Sequence, residues 1–380
     1  METLRYCAKC ILPHTRPGIS LDKDGICSAC RGHLDKINNI DWNSRGRQFD
    51  KLIAWAKRKA NTYDCIVPVS GGKDSWYQVE KAQKYGLKIL CVTWKTPGRT
   101  DIGQQNLDGM IAKLGVDHID FTINPDIERK FMVAAFEKKG ATAIPMHMAL
   151  FSIPMRLAVQ SRIPLIIWGE NPQLEYGGPK KDRLVTDLNQ EWINKYGVTN
   201  GTKIEDWVGV NGLTNQDLTG YSLPSAGDLN LFQPKSIFLG SYFRWNSFEN
   251  AKIAKDYGFK SEQADLKTGS WHFADIDCHF ISLHHFLKWY KFGFLRSFDH
   301  LSIEIRYGLI NRSEAIEKLE TIGFQQPVED VKRFCHFANK NVHWFWDVAE
   351  RFRNKTIWKL QAGEWKIPGF IAKNWNWSEK

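Results

Sequence analysis

The six residues Ser70-Gly71-Gly72-Lys73-Asp74-Ser75 place two hydroxyls, an ammonium and a carboxylate around a pair of glycines. Such a set suits a polyphosphate. Glycine lets the backbone approach a phosphate closely, and its N–H groups join the positive end of a following helix in one anion site. Ser70 and Ser75 can donate to phosphate oxygens, Lys73 adds a cation, and Asp74 can hold Mg²⁺ against the polyphosphate. The stretch is not a Walker A loop, which needs G-x-x-x-x-G-K-[ST], nor the dinucleotide fingerprint G-x-G-x-x-G. The bland alternative is an ordinary glycine-rich turn.

A second constellation lies upstream. Cys7 and Cys10 form one C-x-x-C pair and Cys27 and Cys30 another, with sixteen residues between the pairs. Two tight turns at that spacing present four thiolates to one tetrahedral ion. Structural zinc is the expectation, ahead of disulfides or an iron–sulfur or redox pair. Cys65 and Cys91 fall in apolar runs where a thiol is usually a small core hydrophobe. Cys278 and Cys335 have no neighbouring cysteine, so a second thiol pair is not expected.

Those residues need elements to position them. "CIVPV" reads as a strand running into the glycine turn, and "DSWYQVEKAQKYG" as the helix after it, ending on Gly86. "LKILCVTW", "DHIDFTI" and "IPLIIWGEN" read as further strands, with "TDIGQQNLDGMIAKLG" and "MALFSIPMRLAVQSR" as helices between them. Strand and helix alternate at βαβ spacing, which predicts an α/β fold: a parallel sheet with helices on both faces. Residues 177–234 are rich in Gly, Asn, Asp and Pro and read as a long irregular insertion, more often functional than idle. "SIFLGSYFRW" and "NSFENAKIAKDYG" resume the pattern, and the last 120 residues read as mostly helical. The expected division is a zinc ribbon over 1–45, the α/β domain over 46–260 and a mostly helical C-terminal region over 261–380.

With 380 residues, 43% hydrophobic and 25% charged, the composition is that of a globular protein with a proper core. No apolar run approaches a membrane span, and "METLRYCAKC" lacks the pattern of a secretion signal, so a cytoplasmic protein is expected. The net charge of +10 suits an anionic partner without choosing one. Most of the sixteen tryptophans read as core material.

The strand, the loop "SGGKDS" and the helix after it resemble the PP-loop of the N-type ATP pyrophosphatases, an adenine nucleotide alpha hydrolase-like fold. The resemblance implies ATP and Mg²⁺ as cofactors and cleavage of ATP between the α and β phosphates, after which a substrate oxygen carries AMP. Catalytic roles then fall to Lys73 and Asp74, and ATP binding to Ser70, Gly71, Gly72, Lys73, Asp74 and Ser75. The family pattern adds Thr93 and Trp94 at the adenine, although core packing accounts for Trp94 as well. It adds Gly169, Glu170 and Asn171 in a second loop, where a helix cap accounts for Asn171 equally well.

Four blocks in order, "YCAKCILPHTRPGISLDKDGICSAC", "VPVSGGKDS", "IIWGEN" and "KFGFLRSFDHLSIEIRYGLINRSEAI", resemble the N-acetyl sugar amidotransferases of surface-polysaccharide synthesis over nearly the whole chain. That resemblance implies a nucleotide-linked N-acetyl sugar whose acetamido oxygen is adenylated and replaced by ammonia. Lipopolysaccharide O-antigen or a related surface glycan would be the destination. Arg296, Asp299 and Arg306 are candidates for substrate binding, with His272 and Asp275 behind them; each alone reads more readily as a structural or solvated charge, and only the cluster near a glycine turn brings the two readings level. No glutaminase-like segment is evident, so the resemblance implies ammonia from a separate glutaminase subunit and a HisF-like barrel subunit. The alternative is a tRNA-modifying PP-loop enzyme that adenylates a base carbonyl. The charge and the ribbon suit it, but scattered non-ribbon cysteines and a "GENPQ" loop unlike the thiolases' "GHNADD" disfavour nucleic acid as the partner. A scaffold without catalysis would have little use for Lys73 and Asp74.

Overall fold

The computed structural model describes residues 3–377. Five strands, β1 (Cys65–Pro68), β2 (Ile89–Trp94), β3 (Asp117–Phe121), β4 (Leu165–Trp168) and β5 (Lys235–Phe238), form one sheet in the order β3-β2-β1-β4-β5. Every pairing is parallel. In register, Cys65 of β1 lies between Ile89 of β2 and Leu165 of β4.

Burial on both faces explains why the strands read as continuous apolar runs. Cys65, Val67, Ile89, Cys91, Leu165 and Ile167 face a core filled by the helices Trp42–Lys59, Lys73–Lys84, Asp101–Leu114 and Ser247–Asp256. Ile66, Leu90, Val92, Ile166, Trp168 and Phe238 face the other side, where Pro125–Lys139 and Ile144–Gln160 lie. The helix after β1 stops at Lys84 and Gly86 takes a left-handed φ of 66° beyond it. The helix Asp101–Leu114 is capped by Thr100 at one end and by left-handed Gly115 at the other. Ile144–Gln160 begins four residues before the apolar run suggests, because Pro145 sits in its first turn, where proline lacks only an N–H the helix does not use.

The 177–234 segment is short helices and 3₁₀ turns, but it is not a surface excursion. Leu188, Trp192, Trp207, Leu213 and Leu218 are buried in the second core. The two ends of the chain meet in a third core. Cys7, Cys10, Ile11, Leu12, Cys27 and Cys30 pack with Phe280, Leu283, Phe294, Phe298 and Phe334 of the C-terminal helices. Thr15 Oγ1 donates to the Phe292 carbonyl at 2.6 Å, and Arg312 Nε to the Cys10 carbonyl at 3.2 Å. Trp289, Trp358 and Trp375 belong to this core, each contributing about 1.5–3 kcal/mol of burial or more by area. The first two and last three residues of the outer segments lie outside the described residues. No helix among the described residues is long and apolar enough to cross a membrane.

Candidate active site

The strand order reverses between β1 and β4, which opens a crevice beyond their carboxyl ends. The glycine loop after β1 fills one side of it. Gly71 has a φ of 85°, and a Cβ there would stand 2.7 Å from the Leu107 nitrogen of the next helix, so only glycine fits. The Ser70 N–H donates to Ser75 Oγ at 3.0 Å, and the Gly72 N–H to Ser70 Oγ at 3.2 Å. The two hydroxyls thus fold the loop on itself; the Ser70 proton goes to Asp277, and that of Ser75 remains to donate. Gly72 is the N-cap of Lys73–Lys84 and offers no side-chain cap; the Ser75 N–H turns back to the Gly72 carbonyl at 2.9 Å, which leaves the Lys73 and Asp74 N–H groups for an anion.

Lys73 is buried, pairs with Asp74 Oδ2 at 2.5 Å, and lies 5.7 Å over the Phe273 ring. Asn250 Nδ2 holds the other Asp74 oxygen at 2.9 Å. From the end of β4, Glu170 joins them. Burial and then the Asp74 charge push its carboxyl up to about 7. Carboxylate oxygens from the ends of β1 and β4 that line one cleft are the hard donors a divalent cation takes, so Asp74 and Glu170 fit Mg²⁺. Thr93 and Trp94 line the same cleft. The Thr93 hydroxyl is already used: it donates to the Val69 carbonyl at 2.7 Å and meets His118 Nε2 at 2.8 Å, pinning β2 to the root of the loop.

The far wall comes from the C-terminal region. The 275–278 segment crosses the start of the helix Asp101–Leu114, where a Cβ on Gly103 would stand 2.7 Å from the Asp277 Cα. Asp275, at a φ of 58°, receives Arg296 Nε at 2.8 Å and His285 Nε2 at 3.3 Å. Burial opposes its ionisation, but Arg296 and His285 outweigh that and hold it well below the usual carboxylate range. Burial raises Asp277, which pairs with Ser70. Tyr176 closes one end, with Arg16 and Arg296 stacked 5.8 and 6.0 Å from its ring centre. The cleft has a volume of ≈ 400 Å³.

The sequence-predicted residues therefore divide. Ser70, Gly72, Lys73, Asp74, Ser75, Thr93, Trp94, Gly169, Glu170 and Arg296 line the cleft, and Gly71 shapes it. Asn171 does not face it: 1% exposed, it caps the short helix Pro172–Glu175 and donates to Arg183, Val185 and Ser241. Asp299 sits behind Arg296 and pairs with Arg16 Nε at 2.5 Å. Arg306 is drawn to the sulfurs of Cys10, Cys27 and Cys30 and donates to the Glu175 carbonyl, away from the cleft. His272 is on the outer side of its loop, beside the Glu262 carbonyl. Sequence reasoning missed Asp277, Arg99 and Tyr176. Tyr176 stands six residues beyond Glu170, but no spacing rule singles it out.

The four ribbon thiols are buried and mutually within 4.8 Å, with Cys7–Cys30 and Cys10–Cys27 sulfurs 3.9 and 3.7 Å apart. Tetrahedral zinc with bonds of about 2.3 Å requires sulfurs about 3.8 Å apart. Backbone N–H groups of Lys9, Cys10 and Cys27 donate to Cys7 Sγ, as thiolate knuckles require. The donor set fits structural zinc.

Residues 251–370 match the family model for LPS biosynthesis protein WbpG-like, C-terminal domain. Among solved structures, the chain is similar to NMN synthetase from Francisella tularensis, at 15% identity and a TM-score of 0.27, over 58% of this chain and 93% of that one. No curated protein matches the chain.

Proposed function

Residues 251–370 match the WbpG-like C-terminal domain, and from that premise we propose that the chain is an ATP-dependent amidotransferase acting on a nucleotide-linked N-acetyl sugar in surface-glycan synthesis. One observation carries the reading. The polyphosphate loop after β1 and the residues Asp275 and Arg296 of the WbpG-like domain line a single cleft.

The chemistry follows from that arrangement. The loop N–H groups and Lys73 hold the β and γ phosphates of ATP, leaving the α-phosphorus open toward the far wall. The acetamido oxygen attacks it, forming an O–P bond as the bond to pyrophosphate breaks. Asp74 and Glu170 supply carboxylates for Mg²⁺, which when bound neutralises the departing pyrophosphate. Ammonia then adds to the activated carbon, and AMP leaves with the former acetamido oxygen, giving the acetamidino sugar. An amide oxygen is a weak nucleophile, so orientation and fixed charge supply most of the rate. Arg296, locked by Asp275, is placed to orient the sugar. Ammonia comes, in this reading, from a separate glutaminase through a HisF-like barrel subunit. The ribbon cysteines hold zinc for structure.

The test is to incubate the full chain with Mg-ATP, ammonium and a panel of nucleotide-linked N-acetyl sugars, following AMP, pyrophosphate and sugar mass together. The expected result is one sugar that exchanges oxygen for an imino group with matching AMP release. Lys73→Met should lower that rate about 10²–10³-fold. AMP release stimulated by bulk tRNA and by no sugar would sink the reading.

A further inference from the structure

A second cavity of ≈ 450 Å³ lies on the other side of Tyr176, which lines both. Its walls carry Arg16, Lys195, Lys288 and Lys291 and no aspartate or glutamate. Two of these cations are already paired, Arg16 with Asp299 at 2.5 Å and Lys195 with Asp182 at 2.8 Å. The other two are not. Lys288 Nζ meets His285 Nδ1 at 3.1 Å, and Lys291 Nζ reaches the Lys139 carbonyl at 3.5 Å. Among the described residues neither has a carboxylate oxygen within 4.0 Å.

Lys288 and Lys291 are three residues apart on the helix His279–Phe292, so they project from one face. Two lysines held side by side in a concave, acid-free site are costly unless an anion shares it. Three further features of the walls suit a particular anion. Ala143 and Ile144, the N-terminus of the 17-residue helix Ile144–Gln160, reach the cavity with no side-chain cap. Gln173, 6% exposed, leaves its Oε1 without a partner, an acceptor for a sugar hydroxyl. Tyr196 and Phe292 offer ring surface to a base or sugar.

We propose that this cavity binds the diphosphate of the nucleotide-linked substrate through Lys288 and Lys291, so that the sugar extends past Tyr176 into the nucleotide cleft. The assignment rests on the amidotransferase reading, because that reading supplies the diphosphate-bearing substrate. Burial alone pushes Lys291 down to about 8; it is also the main cause that brings Lys288 to about 7, against the Asp299 charge. An arriving diphosphate favours the charged form of both. The two cavities are also joined chemically: His285 bridges Asp275 of the cleft to Lys288 of the second cavity, at 3.3 and 3.1 Å. Substrate charge sensed at Lys288 is thus three contacts away from Arg296.

The probe is UDP, titrated calorimetrically into the full chain with the nucleotide cleft saturated by Mg²⁺ and a non-hydrolysable ATP analogue. Uridine and glucuronate serve as arms without a diphosphate. UDP should bind, both controls should bind at least about tenfold more weakly, and Lys288→Met and Lys291→Met should each weaken UDP about tenfold or more. Lys291→Arg should restore most of the loss. Unchanged ATP-analogue affinity and melting temperature show that the variants are folded. The proposal is overturned if UDP affinity is the same in both methionine variants, if the ATP analogue displaces UDP, or if glucuronate binds as tightly as UDP. The readout is binding, so it fails separately from the sugar assay. Sugar-dependent AMP release with no UDP binding removes only this assignment. UDP binding with no sugar-dependent AMP release removes only the amidotransferase reading.

Discussion

The two cavities that meet at Tyr176 are built from opposite charge inventories. The nucleotide cleft mixes Asp74, Glu170, Asp275 and Asp277 with Lys73, Arg99 and Arg296, whereas the other is lined by cations without a single acid. On the proposed reading, the difference matches how each would receive an anion. A polyphosphate that arrives with Mg²⁺ needs carboxylates for the metal as well as donors for the phosphates. An anion that arrives without metal needs only cations, and acids would repel it. They also differ in construction. The cleft grows from the end of β1 and β4, while the second cavity is closed by Arg16, Pro17 and Gly18 of the ribbon region and by the helix His279–Phe292.

That contrast can be broken at its strongest point by removing a ribbon ligand. Cys27→Ser leaves three thiolates, and loss of the metal should destabilise the ribbon and the core it shares with the C-terminal helices by several kcal/mol or more, on the order known for structural zinc. Zinc content, limited proteolysis and two titrations check it. UDP binding should disappear while much of the ATP-analogue binding survives. Equal loss of both would mean that the two cavities stand or fall together.

The converse change attacks the cleft alone. Gly71→Ala forces a side chain into a φ of 85° and onto the Leu107 backbone, at a cost of about 1–3 kcal/mol. Melting temperature and ATP-analogue affinity should both fall, with UDP binding kept.

The smallest effect sharpens the acid side of the comparison. Burial and the Asp74 charge raise Glu170 from the ordinary 4.5 to about 7, so the folded protein keeps that proton in a range where the unfolded chain has lost it. The folded state then binds more protons, and stability from this group declines as pH rises from about 4.5 to 7. Glu170→Gln should flatten the slope of melting temperature with pH across that window. A variant whose slope matches the wild type would show that Glu170 ionises freely.

How much of this was legible in the sequence depended on whether a site was local. "SGGKDS" carries its own strand, turn and helix, and the two C-x-x-C pairs carry their own geometry, so both could be read from adjacent residues. The β4 loop was half legible. Gly169 and Glu170 reach the cleft, but Asn171 spends every side-chain bond on a cap and two neighbouring segments. The far wall was mostly illegible, because Asp277 lies about two hundred residues from Ser70 and only tertiary packing brings them together. Arg306 misled for a similar reason. Its charge answers the ribbon sulfurs, a partner nearly three hundred residues upstream. The 177–234 segment looked irregular because its helices are too short to show a period, yet its tryptophans are core.

The meeting of the chain's two ends has a consequence for synthesis. Thr15 bonds to Phe292 and Arg16 to Asp299, partners 277 and 283 residues apart. Contacts of such long separation form late, since the loop they close must be ordered first. A growing chain would expose its polyphosphate loop to cellular ATP long before residues 275–296 leave the ribosome. Until then the loop has no far wall, and the cleft that Asp275, Asp277 and Arg296 help to line is not yet closed.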